Sequence, residues 1–414
     1  MRTHKSATGH TQTDESLLVY LNMDRMLPVA IMGALAGGFY LTMAGPIMAI
    51  LARDLTVDVT SLALIGSMYG IAMIINGAGA PFTLRYGPVW LLRSSPILTI
   101  AGLLLLVWCP NLPVVMLGAA LSALGTSVSS IVNPAMFPGK KGVRYVAIAT
   151  GVASSTSIAT TVIFAVAEWI APGSGRFALL LMVIPSIVLF VQVMRFPTVA
   201  LRTFLARRMD PAFNDLLAAF ESAESSAAPE AAQKPEKDAK PTKSIVAFQV
   251  VRMILIAGVE FAFYAWGVER LRQVGVSLAT ASALATLFAI GMAVGRTGGA
   301  RFLANRWAAY AFETAGLIGA ALTGFGPNPV VVSIGLLVAG LGVSCLFPIG
   351  ATDYSGLPGI VPRKATATIN ILSGTGALVI PLALGWILAV AGLQVGFGLL
   401  IVMFAALLVI PRPR

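Results

Sequence analysis

Glu260 lies within the apolar stretch AGVEFAFYAW, residues 257–266, and Tyr264 follows it one helical turn later. At positions i and i+4 the carboxyl and the phenol share one face of a helix. Counted from Ile245, where the apolar run begins, Glu260 stands about 22 Å along the axis at about 1.5 Å per residue. A charge that deep in hydrocarbon costs about 2.5 to 3.5 kcal/mol unless it is paired, hydrated or protonated. Two chemistries fit the position: a carboxyl that binds and releases a proton, or a hydrogen-bonding group that ties neighbouring helices together.

Arg252 precedes Glu260 by eight residues. The two are displaced by about 12 Å along the axis and about 80° around it, so they form no direct pair on one helix. Arg252 either anchors an anionic substrate or extends its guanidinium to the membrane surface. Asn76, Asn133 and Asn370 are amides inside apolar runs, placed to line a central pathway or to bond other helices. Tyr40, Ser129, Tyr264 and Trp266 complete the candidate cavity lining, and SSTSIATT, residues 154–161, offers hydroxyls for a wet path or for bonds to its own backbone. Arg296, Asn305, Arg306 and Glu313 gather near the adjoining ends of two consecutive runs, which points to a gate or a structural ion pair at the cytoplasmic surface. Glu168 and Asp353 stand near run ends, where interfacial solvation accounts for them.

Other chemistries lack their residues. A membrane-embedded enzyme needs a nucleophile with its base, a metal cluster or paired carboxylates. The only histidines are His4 and His10, in the hydrophilic N-terminal tail, and no HExxH, GxSxG or GxxxxGK[ST] occurs. No catalytic residue, cofactor or metal site is therefore expected, and the energy for any transport must come from a gradient or be the substrate's own. Cys109 and Cys345 lie in or beside separate apolar runs and suggest no disulfide framework.

These residues must be positioned by helices built for lipid. Hydrophobic residues make up 57% of the 414 and charged residues 11%, with a mean hydropathy of +0.87, against about 25% charged residues in a soluble domain. Runs of the length that spans ~30 Å of hydrocarbon recur at 27–52, 61–81, 89–109, 112–137, 144–169 and 176–196. After a polar interval they resume at 245–268, 277–303, 307–325, 329–352, 365–390 and 393–411. Lys and Arg accumulate in cytoplasmic loops. With both termini inside, the layout puts all but six of the 28 on that side; the exceptions are Arg53, Arg176, Arg270 and Arg272 in outer loops and Arg252 and Arg296 within helices. The net charge of +11 thus reports topology and implies no nucleic-acid partner.

The expected organisation is an all-α integral membrane protein with a cytoplasmic tail (1–26), a six-helix bundle (27–196), a cytoplasmic linker (197–244), a second six-helix bundle (245–411) and a short tail (412–414). The linker opens with an amphipathic stretch suited to the membrane surface. It continues as ESSAAPEAAQKPEKDAKPTK, whose composition is that of a tether. The bundles resemble each other. GIAMIINGAGAPFTLR (70–85) aligns without a gap on GMAVGRTGGARFLANR (291–306), and LGTS (124–127) on LGVS (341–344), as a 6+6 internal repeat requires.

With these motifs the sequence resembles the major facilitator superfamily along essentially its whole length. The signature between helices 2 and 3 keeps Arg85 and Gly87 in APFTLRYG but has Leu84 at the acid position; its second copy, RFLANRW, has Asn305 there, followed by Arg306. Within the superfamily the sequence is most similar to the fucose permease-like branch, on Gly258, Glu260 and Trp266 of GVEFAFYAW and on Phe347-Pro348 of GLGVSCLFP. It departs in SSIVN, where Ser129 replaces the acid that precedes Asn133. The resemblance implies a cytoplasmic gate at Arg85, Gly87, Asn305 and Arg306, which Arg296 and Glu313 join by their position. It also implies a monomeric secondary transporter of the cell membrane working by alternating access, with a small organic solute and protons as its partners. Proton-coupled uptake or exchange is the leading reading. Proton-coupled efflux of amphipathic compounds is the alternative, and a non-transporting membrane sensor is a third.

Overall fold

The computed structural model describes residues 23–86, 88–136, 139–195, 243–299, 306–357, 360 and 362–412, which are all-helical. Every expected run is occupied. The helices are α1 (Met23–Asp54), α2 (Ala63–Tyr86), α3 (Pro88–Trp108), α4 (Leu112–Met136), α5 (Gly139–Ile170), α6 (Val183–Met194), α7 (Lys243–Gln273), α8 (Leu278–Gly299), α9 (Arg306–Phe325), α10 (Pro329–Val343), α11 (Leu346–Ser355), α12 (Pro362–Ala391) and α13 (Leu393–Val409). Two runs are not single α-helices. The sixth opens with a 3₁₀ stretch, Gly175–Met182, before α6. The tenth is divided between α10 and α11 at Ser344 and Cys345, because Pro348 has no amide to give the carbonyl four residues back and its ring crowds that carbonyl.

Among the described residues ten spans are long and apolar enough to cross a membrane. The two remaining runs are α9, which carries Glu313, and α13, which has 17 residues. Tryptophan marks the boundaries. Trp90, Trp108, Trp169, Trp307 and Trp386 lie close to helix ends and are 59 to 78% exposed, the placement of an aromatic belt at a membrane interface.

Small residues set how closely the helices approach. Gly70 of α2 meets Gly374 of α12 so tightly that a Cβ built on either would lie 2.5 or 2.6 Å from the other's carbonyl oxygen. Gly45 of α1 meets α7 in the same way, with its added Cβ 2.6 Å from the Tyr264 carbonyl. Two crossings recur at positions that the alignment of LGTS on LGVS pairs. A Cβ at Gly125 would lie 2.5 Å from the Ser95 carbonyl oxygen in α3, and one at Gly342 would lie 2.5 Å from the Gly316 Cα in α9. Gly77 packs on Ala367 of α12, whereas its aligned partner Gly298 has no neighbour within 4 Å of an added Cβ.

The four arginines expected in outer loops are all engaged. Arg53 pairs with Glu168 at 2.7 Å and Asp54 at 2.8 Å, and Arg272 pairs with Glu269 at 2.9 Å. Arg270 donates to the carbonyls of Thr323 at 3.0 Å and Gly326 at 2.8 Å, and Arg176 donates to those of Leu106 and Cys109. Both of the latter serve the carbonyl-rich C-terminus of a neighbouring helix, α9 and α3 respectively, where cations are favoured. Glu168 is 6% exposed and also accepts the amides of Gly173 and Gly175, so its pairing with Arg53 and the loop it organises account for it, in place of the expected interfacial solvation.

Candidate functional site

Side chains on a helix lean toward its N-terminus, and consecutive spans run in opposite directions. Glu260 on α7 and Arg296 on α8 therefore lean toward each other, although their Cα atoms stand at different depths. The Arg296 Nη2 reaches Glu260 Oε1 at 3.5 Å, and Glu260 is 7% exposed. Ordinary charge-assisted hydrogen bonds are about 2.7 to 2.9 Å, so this contact is loose. At an effective dielectric of about 20 its attraction is about 4 to 5 kcal/mol, offset by the desolvation of both groups.

The rest of the guanidinium is held elsewhere. Its Nη1 donates to Ser154 Oγ on α5 at 3.1 Å, and its Nε donates to the Ser344 carbonyl at 3.2 Å. That carbonyl is the one Pro348 cannot serve, so the break between α10 and α11 supplies an acceptor inside the molecule. Arg296 consequently links α5, α7, α8 and the α10/α11 break.

Aromatic rings flank the pair. Tyr40, Tyr69 and Phe261 stack with centroid separations of 5.5 and 5.7 Å, and Tyr264 meets Phe288 edge-on at 4.9 Å. Tyr69 and Tyr264 lie within electrostatic reach of Glu260. Sequence reasoning misses Tyr69, whose only signal is one hydroxyl-bearing ring among the small apolar residues of α2.

Several expected lining residues have other work. The indole of Trp266 is fully buried and donates to the Pro381 carbonyl at 2.9 Å, while Gly258 makes room for Ile380, so both pack α7 against α12. The Tyr40 hydroxyl donates to the Ala119 carbonyl at 2.8 Å. Asn76 donates to Ser127 Oγ at 2.7 Å and to the Leu124 carbonyl at 3.2 Å, which joins α2 to α4. Ser129 donates to its own helix at Thr126. Asn370 accepts from Ser130 Oγ at 2.9 Å, which joins α12 to α4.

The expected gate group divides. Arg296 turns toward Glu260, and Glu313 turns away from it to a second centre. There Glu313 Oε1 binds Arg252 at 2.6 Å and Arg412 at 2.5 Å. Arg252 also donates to the Leu407 carbonyl at 2.7 Å, and Arg412 lies 4.7 Å from the Tyr310 ring centroid. Arg252 and Glu313 are both fully buried, so Arg252 neither reaches the membrane surface nor opens toward Glu260. It braces α7 against α9 and α13. Gly87 and Asn305 lie outside the described residues, as do the side chains of Arg85, Asn133 and Arg306.

A cavity of about 330 Å³ opens near the C-terminal ends of α1 and α7, lined by Arg53, Glu269, Arg272 and Gln273 among others. It does not include Glu260, and the charges of its arginines are already paired. Unpartnered buried atoms lie at the second centre, at Arg252 Nε, Glu313 Oε2 and Arg412 Nε, but the loosely held ion pair with an accessible member is Glu260–Arg296, whose arginine side chain is 31% accessible. We take that pair as the candidate site.

Ten apolar spans and an interior ion pair suit a membrane transport fold, and comparison with known proteins specifies the class. The Major Facilitator Superfamily pattern matches residues 30–356, and the chain belongs to that family. A search of the curated proteins finds no match. Among solved structures the chain is similar to the nucleoside transporter NupG, with TM-score 0.67 and 14% identity over 95% of this chain and 98% of that one. It is similar to a D-xylose-proton symporter, with TM-score 0.68 and 14% identity over 92% and 96%. It is also similar to the E. coli fucose:proton symporter FucP, with TM-score 0.54 and 14% identity over 93% and 98%. At these identities the likeness is one of fold. The fucose permease-like branch is not singled out, and the chain is a multi-pass membrane protein of the superfamily at large.

Proposed function

We propose that this protein is a secondary active transporter that takes up or exchanges a small organic solute together with protons, with Glu260 as the proton-carrying group. The observation that carries the reading is the interior carboxylate of Glu260, held among the described residues only by a 3.5 Å contact to an arginine that also donates to Ser154. In this reading residues 27–196 and 245–411 are two six-helix bundles, residues 197–244 join them, and the monomer sits in the cell membrane with both termini cytoplasmic. The matching crossings at Gly125 and Gly342 support the repeat.

Alternating access then needs a contact between the bundles that protons can weaken. Arg296 belongs to the second bundle and Ser154 to the first. Protonation of Glu260 frees the guanidinium arm that faces it and leaves a bond to the neutral Ser154 hydroxyl, without a paired charge, as the contact of Arg296 between α5 and α8. Other contacts between the bundles are the Gly70–Gly374 crossing, the Ser130–Asn370 bond and the 2.7 Å bond between Thr161 and Thr286. These are neutral, small-residue or single-hydroxyl contacts that can break and reform at low cost.

The test is solute-dependent proton movement in proteoliposomes holding an entrapped pH indicator. Addition of a transported solute outside should acidify the lumen, and an inward proton gradient should drive accumulation that a protonophore abolishes. Solute movement indifferent to both the gradient and the protonophore would overturn proton coupling.

A further inference from the structure

Resting on that reading, we propose that the solute is an organic anion and that Arg296 receives its acidic group in place of Glu260. Among the described residues Glu260 has no ion-pair partner other than Arg296. The groups facing Glu260 are Arg296 from α8, Tyr69 from α2 and Tyr264 from its own helix; Arg296 is also near Cys345 at the start of α11. When a proton neutralises Glu260, the guanidinium keeps its full charge and has only the Ser154 hydroxyl and the Ser344 carbonyl as partners. An arginine inside a membrane bundle demands a counter-charge. A neutral solute cannot provide one.

The geometry prepares the exchange. Two arms of the guanidinium are fixed by a neutral hydroxyl and a backbone carbonyl, and the third points at the carboxylate. Loss of that carboxylate's charge leaves an oriented donor edge, and a planar acidic group is what a guanidinium recognises best. The Arg296 side chain is 31% accessible, against 9% for that of Glu260, so an incoming group has access to the arginine. Tyr264 is part-exposed and lies within electrostatic reach of Arg296, so its ring is the apolar surface an incoming solute can meet there, whereas Tyr69 and Phe261 are buried against each other.

The charges balance over a cycle. One proton adds to Glu260, one negative charge arrives with the solute, and the arginine stays positive throughout. The loaded site therefore has the same net charge as the empty, deprotonated one. On release the solute leaves, the proton leaves, and Glu260 pairs again with Arg296. Each solute anion is thus matched to one proton.

Thermal unfolding of the full-length protein in detergent tests this with simple carboxylates. The probes are acetate, lactate, benzoate and glucuronate, each beside its neutral counterpart (acetamide, lactamide, benzamide and glucose), at mildly acidic and mildly alkaline pH. At least one carboxylate should stabilise the wild type and bind about ten- to a hundredfold more tightly at the acidic pH, the ordinary range of coupling between two sites; its neutral counterpart should not. Glu260→Gln should bind the carboxylate at both pH values. Arg296→Gln should not bind it, and the charge-free double variant Glu260→Gln/Arg296→Gln guards against misfolding of the single one and should likewise not bind. The proposal is overturned if no carboxylate of the set binds at either pH, or if a ligand binds the double variant as well as the wild type. A neutral solute accumulated by the wild type but not by Glu260→Gln would remove the anion while leaving proton coupling in place. Carboxylate binding that requires Arg296, beside undiminished accumulation by Glu260→Gln, would do the reverse.

Discussion

Arg296 Nε donates to the carbonyl of Ser344 at 3.2 Å, and that carbonyl is available because the residue four positions later is Pro348. A helix break and an interior cation thus satisfy one another. Pro348→Ala would supply an amide that competes for the carbonyl and leaves the Arg296 Nε without its partner. A hydrogen bond to a charged group contributes about 1.5 to 3 kcal/mol. The expected outcome is a KM raised about tenfold or more, with kcat less affected and the protein still folded. An unchanged KM would show that Arg296 is oriented without the break.

The second centre is a brace, and its disruption should appear in stability before transport. Removing the carboxylate with Glu313→Ala leaves Arg252 buried and unpaired, which costs about 3 to 5 kcal/mol for a broken buried pair. The melting temperature should fall clearly. The double variant Arg252→Met/Glu313→Leu removes both charges and should recover much of the loss. Folded Arg252→Met/Glu313→Leu should transport at a near-normal rate per molecule, whereas a stable but inactive double variant would return Arg252 to the transport pathway.

Glycines within the two aligned segments should differ in tolerance according to what each one meets. Gly70→Ala places a methyl 2.5 Å from the Gly374 carbonyl oxygen and should impair folding or transport. Gly298→Ala meets nothing within 4 Å and should be neutral or stabilise by about 0.5 to 1 kcal/mol, the difference between Gly and Ala inside a helix. Melting temperatures of the two variants check this, and equal sensitivity would mean that Gly298 has a role its surroundings do not show.

Hydropathy locates the spans because a membrane helix must be apolar for about 20 residues whatever it packs against. The carboxyl of Glu260 is legible for the same reason, as a costly charge in such a run. Its partner is not. Arg296 is 36 residues away on another helix, and counting residues places it near the cytoplasmic end of its run; the lean of both side chains toward their helix N-termini closes the gap. Trp266 misleads because an aromatic residue on the face that packs α12 has the same spacing as one that lines a path. Arg252 misleads because depth along a helix does not reveal that Glu313 faces it. The break at Ser344 is marked by Phe347-Pro348, but the use of the freed carbonyl depends on a neighbouring helix and no local pattern records it.

Glu260→Gln provides the most direct measurement, because the amide keeps the size of the side chain and its hydrogen bonding but cannot release a proton. Wild type and variant are reconstituted at matched density and compared for pH-gradient-driven accumulation and for exchange of solute between equal pools. With Glu260 as the proton carrier, the variant should lose accumulation and retain exchange, since a carrier shuttling loaded in both directions need not cycle a proton. Full gradient-driven accumulation by Glu260→Gln would contradict that role.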